Sequence, residues 1–128
     1  MESKMTISGY VQAGFASPAL DYSEEGIDLE KILKPRPSVF YLRAVNDSMI
    51  GANIPPGALL VVDKAAQPKN YSIVIASLNG DFLVKYYVKD IRGVRLESAN
   101  PKYQPIQITE EMGFQVWGVV TAVVILTH

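Results

Sequence analysis

The sequence predicts a mostly β fold: a compact domain of short strands with one short helix, preceded by a flexible N-terminal arm. Three observations carry that prediction. Apolar runs of strand length recur from Val39 onward. Gly, Pro, Asn and Asp punctuate them every ten or so residues. A hydrophobic fraction of 48% in 128 residues suffices for one buried core.

In chain order, residues 1–26 differ from the rest. Gly9, Gly14, Ser17, Pro18, Ser23 and Gly26 interrupt any period, which reads as an extended arm. Leu29, Ile32 and Leu33 then fall at helical spacing, with Asp28 near the N-cap and Lys34-Pro35-Arg36-Pro37 ending the helix. Phe40–Val45 is a strand candidate, and Pro55-Pro56-Gly57 turns the chain into the apolar run Ala58–Val62. Ser72–Leu78 and Phe82–Val88 flank Asn79-Gly80, a two-residue hairpin signal because both positions tolerate positive φ. Val94–Ser98 and Phe114–Leu126 supply further strand, and Asn100-Pro101 and Gln104-Pro105 mark the loop between them.

Composition excludes several chemistries. Net charge is −1 with both signs interspersed, so bulk phosphate neutralisation of nucleic acid is not expected. Cysteine is absent and the only histidine is His128. A thiol nucleophile, a thiolate metal site and a His-based triad therefore fall away, and no cofactor or metal is expected. The N-terminus lacks a signal-peptide pattern, and the apolar stretch Val116–Leu126 is short for a bilayer span of ~20 residues. A cytoplasmic protein without a membrane anchor is expected.

A serine hydrolase of this composition needs a base other than His. Of nine serines, Ser48 stands out because it is placed directly after a strand, in Asn46-Asp47-Ser48-Met49-Ile50-Gly51. A turn there would expose the hydroxyl beside backbone N–H groups able to hold an oxyanion, those of Ser48 and Met49. A simple capping role fits the same pattern. A lysine can act as base if burial depresses its pKa. Of eight lysines, Lys85 alone lies inside an apolar strand, Phe82-Leu83-Val84-Lys85-Tyr86-Tyr87-Val88. Alternation places it on one face with Leu83 and Tyr87. A stem lying over those side chains with its charge in water fits equally.

The ordered set Gly26-Ile27-Asp28-Leu29, Pro37-Ser38, Asn46-Asp47-Ser48-Met49 and Pro56-Gly57-Ala58-Leu59-Leu60-Val61-Val62-Asp63 closely resembles UmuD-type proteins of the LexA/UmuD self-cleaving serine peptidase family. Asn79-Gly80-Asp81-Phe82-Leu83-Val84-Lys85 resembles the segment with the catalytic lysine. Asn100-Pro101-Lys102-Tyr103-Gln104-Pro105-Ile106 and Val116-Trp117-Gly118-Val119-Val120 resemble later segments, so the likeness runs from about residue 8 to the C-terminus. Asn46 stands where Gly is commoner, Pro55-Pro56 stiffens the turn after Ser48, and Tyr86 stands where a second lysine is often seen.

That resemblance implies a Ser48–Lys85 dyad in a β-rich peptidase domain, residues 27–128, acting on an arm, residues 1–26, at Ala13-Gly14. It implies stimulation by a RecA–single-stranded DNA filament, homodimerisation of the trimmed chain, and work with a UmuC-like error-prone DNA polymerase in SOS translesion synthesis. LexA repressors carry a helix-turn-helix domain ahead of the site. Only 12 residues precede Ala13 here, so direct sequence-specific DNA binding is not expected. A non-enzymatic β-domain interaction module, with Ser48 a cap and Lys85 a snorkelling side chain, is the alternative. A leader-peptidase-like enzyme acting on other proteins would require a membrane anchor.

Overall fold

The computed structural model describes residues 6–7, 11–12, 15–16, 27–28 and 33–127. The chain falls into two compact units, Met1–Lys34 and Pro35–His128. In the first unit, β1 (Thr6–Ile7) pairs antiparallel with β4 (Ile27–Asp28), and β2 (Val11–Gln12) with β3 (Phe15–Ala16). Ile27 and Asp28 are therefore extended: cross-strand pairing, which suits β-branched Ile27, holds the start of the segment expected to be helical. Leu33 is helical, and residues 29–32 of that expected helix lie outside the described residues, as do Ala13, Gly14 and most of the expected arm.

The second unit is a seven-stranded antiparallel sheet. Its strands are β5 (Val39–Arg43), β6 (Leu59–Asp63), β7 (Ser72–Leu78), β8 (Asp81–Asp90), β9 (Gly93–Glu97), β10 (Ile106–Gln107) and β11 (Phe114–Val124). The spatial order is β10-β9-β8-β7-β11-β6-β5, so the last strand in sequence lies in the interior of the sheet. The mostly β expectation holds.

Each strand follows from its residues. Asn79 (φ 50°) and Gly80 (φ 89°) close the β7–β8 hairpin, pairing Leu78 with Asp81. Two positive φ angles match the right-handed twist of the flanking strands, as the Asn-Gly pair predicts. Val74, Ile75 and Ala76 of β7 are all buried, because the sheet is covered on both faces. Ile75 joins Ala44, Met49, Ile54, Ala58, Leu60 and Val62 in one apolar cluster. Val74 and Ala76 join Leu96 and Val119 in another. β11 serves β7 and β6 at once, with register shifts between Val116 and Gly118 and between Val120 and Ala122. A Cβ on Gly118 would lie 2.5 Å from Val62 Cγ1, so glycine leaves the space that the buried Val62 side chain fills.

Four segments depart from expectation. β5 ends at Arg43, so Ser48 follows a connecting segment rather than the strand itself. β10 arises inside the stretch expected to be loop, held by pairing of Ile106 with Leu96 and Gln107 with Arg95. Short 3₁₀ turns form at Ile50–Ala52 and Glu110–Met112, where the spacing gives no helical period. No helix among the described residues is long and apolar enough to cross a membrane.

Candidate active site

Ser48 sits on a turn fixed from both ends. Ala44 stays locked to the chain after the turn, donating to Ala58 O and accepting from Gly57 N. Beyond it, the Asn46 side-chain oxygen accepts a 3.0 Å hydrogen bond from Ser48 N, an Asx turn that curls the chain back. Met49, 2% exposed, drives the far side of the turn into the apolar cluster. Its carbonyl accepts from Ala52 N and Ile54 N, closing a tight loop in which Asn53 takes the left-handed conformation (φ 63°). Ser48 itself is 3% exposed, yet it lines a cavity of about 230 Å³.

The cavity is apolar. Leu42 of β5, Leu60 of β6, Ile75 of β7 and Phe82, Leu83 and Val84 of β8 surround the Ser48–Met49 turn. β5 and β8 are separated by three strands in the sheet, β6, β11 and β7. Both line one cavity because the twisted sheet curls upon itself. An extended peptide laid beside Ser48 would find room for a small or branched apolar side chain.

Lys85 lies at the middle of β8, opposite Val74 of β7, and is 6% exposed. Burial pushes its ammonium below the ordinary lysine value. Its Nζ donates a 2.6 Å hydrogen bond to Ser98 Oγ and lies 5.0 Å from the Tyr103 ring centroid. It is thus enclosed, in contrast to a lysine whose head reaches water.

Ser48 and Lys85 form no hydrogen bond with each other; the segment 98–103 touches both neighbourhoods. Ser98 holds Lys85. Ala99 O accepts a 2.6 Å bond from Gly51 N, three residues past the serine. Asn100 Nδ2 donates to Asp47 O at 2.8 Å, and the Tyr103 hydroxyl donates to Asp47 Oδ1 at 2.6 Å. Lys102 Nζ closes the set with a 3.0 Å contact to Asp47 Oδ2. The hydrogen bond from Tyr103, then that from Lys102, hold the Asp47 carboxyl below its usual range. The same contacts raise Tyr103 and Lys102.

Sequence reasoning singled out Ser48, Met49 and Lys85, and the structure places all three in buried positions around this region. It missed Ser98, Asn100 and Tyr103, whose partners lie 13, 53 and 56 positions away. No local pattern marks such residues. Ser98 reads as the end of a strand and Asn100-Pro101 as an ordinary loop signal.

A family model described as Peptidase S24-like matches residues 6–121. Protein SamA of Salmonella typhimurium (strain LT2) is 45% identical over 111 residues, 86% of this chain and 76% of that protein. Protein ImpA of Escherichia coli is 49% identical over 75 residues, 58% of this chain and 52% of that protein. The LexA repressor of Carboxydothermus hydrogenoformans is 41% identical over 105 residues, 80% of this chain and 52% of that protein. The chain thus spans about three quarters of SamA and about half of the other two. The family match runs through the Ser48 turn, the Lys85 strand and most of β11, and the chain belongs to the Peptidase S24-like (LexA/UmuD) family, which includes self-cleaving serine peptidases.

Proposed function

We propose that the chain is a serine endopeptidase that cuts its own Ala13–Gly14 bond, with Ser48 as nucleophile and Lys85 as general base. The observation that carries this reading is the enclosed Lys85 ammonium. Burial lowers its pKa, and the loop that meets it also fixes the Ser48 turn. Membership of a family that includes self-cleaving peptidases supports it.

In the proposed reaction neutral Lys85 takes the Ser48 Oγ proton as Oγ bonds to the Ala13 carbonyl carbon. Backbone N–H groups at Ser48 and Met49 hold the oxyanion, that of Ser48 once it leaves the Asn46 side-chain oxygen. Collapse breaks the Ala13–Gly14 C–N bond, and Lys85 returns the proton to the Gly14 amine. Water then hydrolyses the Ala13 ester, with Lys85 again taking and returning a proton. Gly14, lacking a Cβ, admits close approach to the bond. The apolar cavity beside Ser48 suits the small residues there.

The same proposal covers regulation and partners. A RecA–single-stranded DNA filament favours the conformation in which the arm reaches Ser48, a population shift that adds no chemistry. The trimmed chain, beginning at Gly14, forms a homodimer and serves as accessory subunit to a UmuC-like error-prone DNA polymerase. UmuD-like and LexA relatives support this setting.

The test is intact-mass measurement after incubation at about pH 10, beside Ser48→Ala and Lys85→Ala variants. Loss of residues 1–13 from the parent, with both variants losing at least about 10³-fold in rate, is the expected result. A parent that stays intact at pH 10 and with a RecA filament would overturn it in favour of an interaction module without peptidase activity.

A further inference from the structure

Lys85 as a base poses a problem of aim. A neutral amine on a four-carbon stem has one lone pair and two N–H groups, and its rotamers point that lone pair in many directions. A base working in a single proton transfer needs it held toward the serine hydroxyl. A carboxylate partner would fix the amine but would also favour its protonated form. A hydroxyl fixes it without adding charge.

Ser98 is placed to do this. It follows β9 directly and comes level with Lys85, one position past the pairing of Tyr86 with Glu97. Its Oγ accepts the 2.6 Å hydrogen bond from Lys85 Nζ. Its neighbour Ala99 is tied through its carbonyl to Gly51 N, and Asn100 is tied to Asp47 O. The hydroxyl that orients Lys85 is therefore anchored by consecutive residues to both flanks of Ser48.

We infer that Ser98 is a positioning residue for the reaction: its hydroxyl accepts one Lys85 N–H and so directs the amine lone pair toward Ser48, on a loop that fixes the two relative to each other. The inference rests on the proposed Ser48–Lys85 chemistry. Other titratable groups near Lys85 are already engaged. The Tyr103 hydroxyl donates to Asp47, Lys102 pairs with Asp47, and Glu97 pairs with Arg95. Tyr86 and Tyr87 adjoin it along β8. No carboxylate contacts Nζ among the described residues, so the hydroxyl is the group available to orient it.

The experiment is the rate of self-cleavage from about pH 7 to 11 for the parent, Ser98→Ala, Ser98→Thr and Ser98→Asp, with Lys85 titration read separately by pH-dependent amine labelling in a Ser48→Ala background. Ser98→Ala should lower the plateau rate roughly tenfold while leaving the melting temperature within a few degrees. Ser98→Thr, which keeps the hydroxyl, should restore most of the rate. Ser98→Asp should move the rate midpoint and the Lys85 titration upward together by about one pH unit or more. That shift checks that position 98 faces Nζ; loss with Ser98→Ala at an unchanged melting temperature and rescue by Ser98→Thr are what a purely structural role would not give. A cleaving parent whose profile is untouched by Ser98→Ala and Ser98→Asp overturns the Ser98 assignment alone. A parent that never cleaves overturns the proposed function, and the positioning role with it.

Discussion

Replacing Gly51 by alanine probes the junction between the Ser48 turn and the 98–103 loop. A Cβ at position 51 would overlap the Ala99 carbonyl oxygen, the same atom that accepts the 2.6 Å hydrogen bond from Gly51 N. The obstruction is backbone, so no side-chain rotation relieves it. Restoring van der Waals separation requires the two segments to part by about 1 Å, which stretches that hydrogen bond beyond useful length. The lost bond costs about 0.5–1.5 kcal/mol, and forcing a methyl group into a packed contact costs about 1–3 kcal/mol. The expected destabilisation is therefore roughly 2–4 kcal/mol, or a melting temperature lower by roughly 10 °C or more for a unit of this size. Thermal melts followed by circular dichroism measure it. Self-cleavage at about pH 10, at a temperature where both proteins are folded, measures the second effect. A 1 Å retreat of the loop that aims Lys85 should slow cleavage by up to about 10²-fold. An unchanged melting temperature would refute the packing argument. A lowered melting temperature with an unchanged cleavage rate would refute the claim that this loop sets the geometry of the site.

Three further outcomes follow from the same contacts. Lys85→Met should stabilise the fold near pH 7, because burial disfavours the ammonium. The parent should recover that difference as pH rises toward the ordinary lysine value of 10.5, since the unfolded chain then binds more protons than the folded one; parallel stability curves for the two would contradict this. Asp47 carries a carboxyl lowered from 3.8, chiefly by the hydrogen bond from Tyr103, so its contribution is present above that value and fades as pH falls through the folded one. Asp47→Asn should consequently flatten the loss of stability between about pH 5 and 2 in acid titrations followed by fluorescence, and an equally steep loss would count against a stabilising role for the Asp47 contacts with Tyr103 and Lys102. Asn46→Ala frees the Ser48 N–H that the Asn46 side chain now occupies, and should cost about 1 kcal/mol of stability while raising the self-cleavage rate several-fold. A slower variant would mean the Asx turn serves the nucleophile more than the free amide does.

Much of the fold was legible because its signals are local. Ser72–Leu78 forms β7 over the expected residues, since Asn79-Gly80 fixes where the chain must reverse. Lys85 stood out because an isolated charge in an apolar strand departs from the surrounding pattern, and of the two placements that pattern allows the structure has the buried one. The extended pairing of Ile27–Asp28 was not, because its partner Thr6–Ile7 lies about twenty residues away while the nearby apolar spacing is helical. β10 was hidden for the same reason: two residues near Gln104-Pro105 carry no period, and only β9 makes them a strand. The end of β5 at Arg43 separates Ser48 from its strand, although the Asn46-Asp47 turn signal was read correctly as local chemistry. Ser98 and Tyr103 act across the fold on partners that nothing in their own segments announces.

The place of β11 in the sheet has a consequence for when the molecule is made. One side of the sheet, β5 and β6, flanks the Ser48 turn, and the other, β7 to β10, holds Lys85; in the sheet's own hydrogen-bond ladder β11 bridges the two. A chain still emerging from the ribosome has both parts and lacks the strand that bridges them in the sheet. At about 5–20 residues per second, several seconds separate the synthesis of residues 1–26 from that of Phe114–Val124. On the proposed chemistry, Ser48 and Lys85 would share a completed sheet only after Phe114–Val124 has been made, so the order of the strands would delay self-cleavage until the sheet is whole.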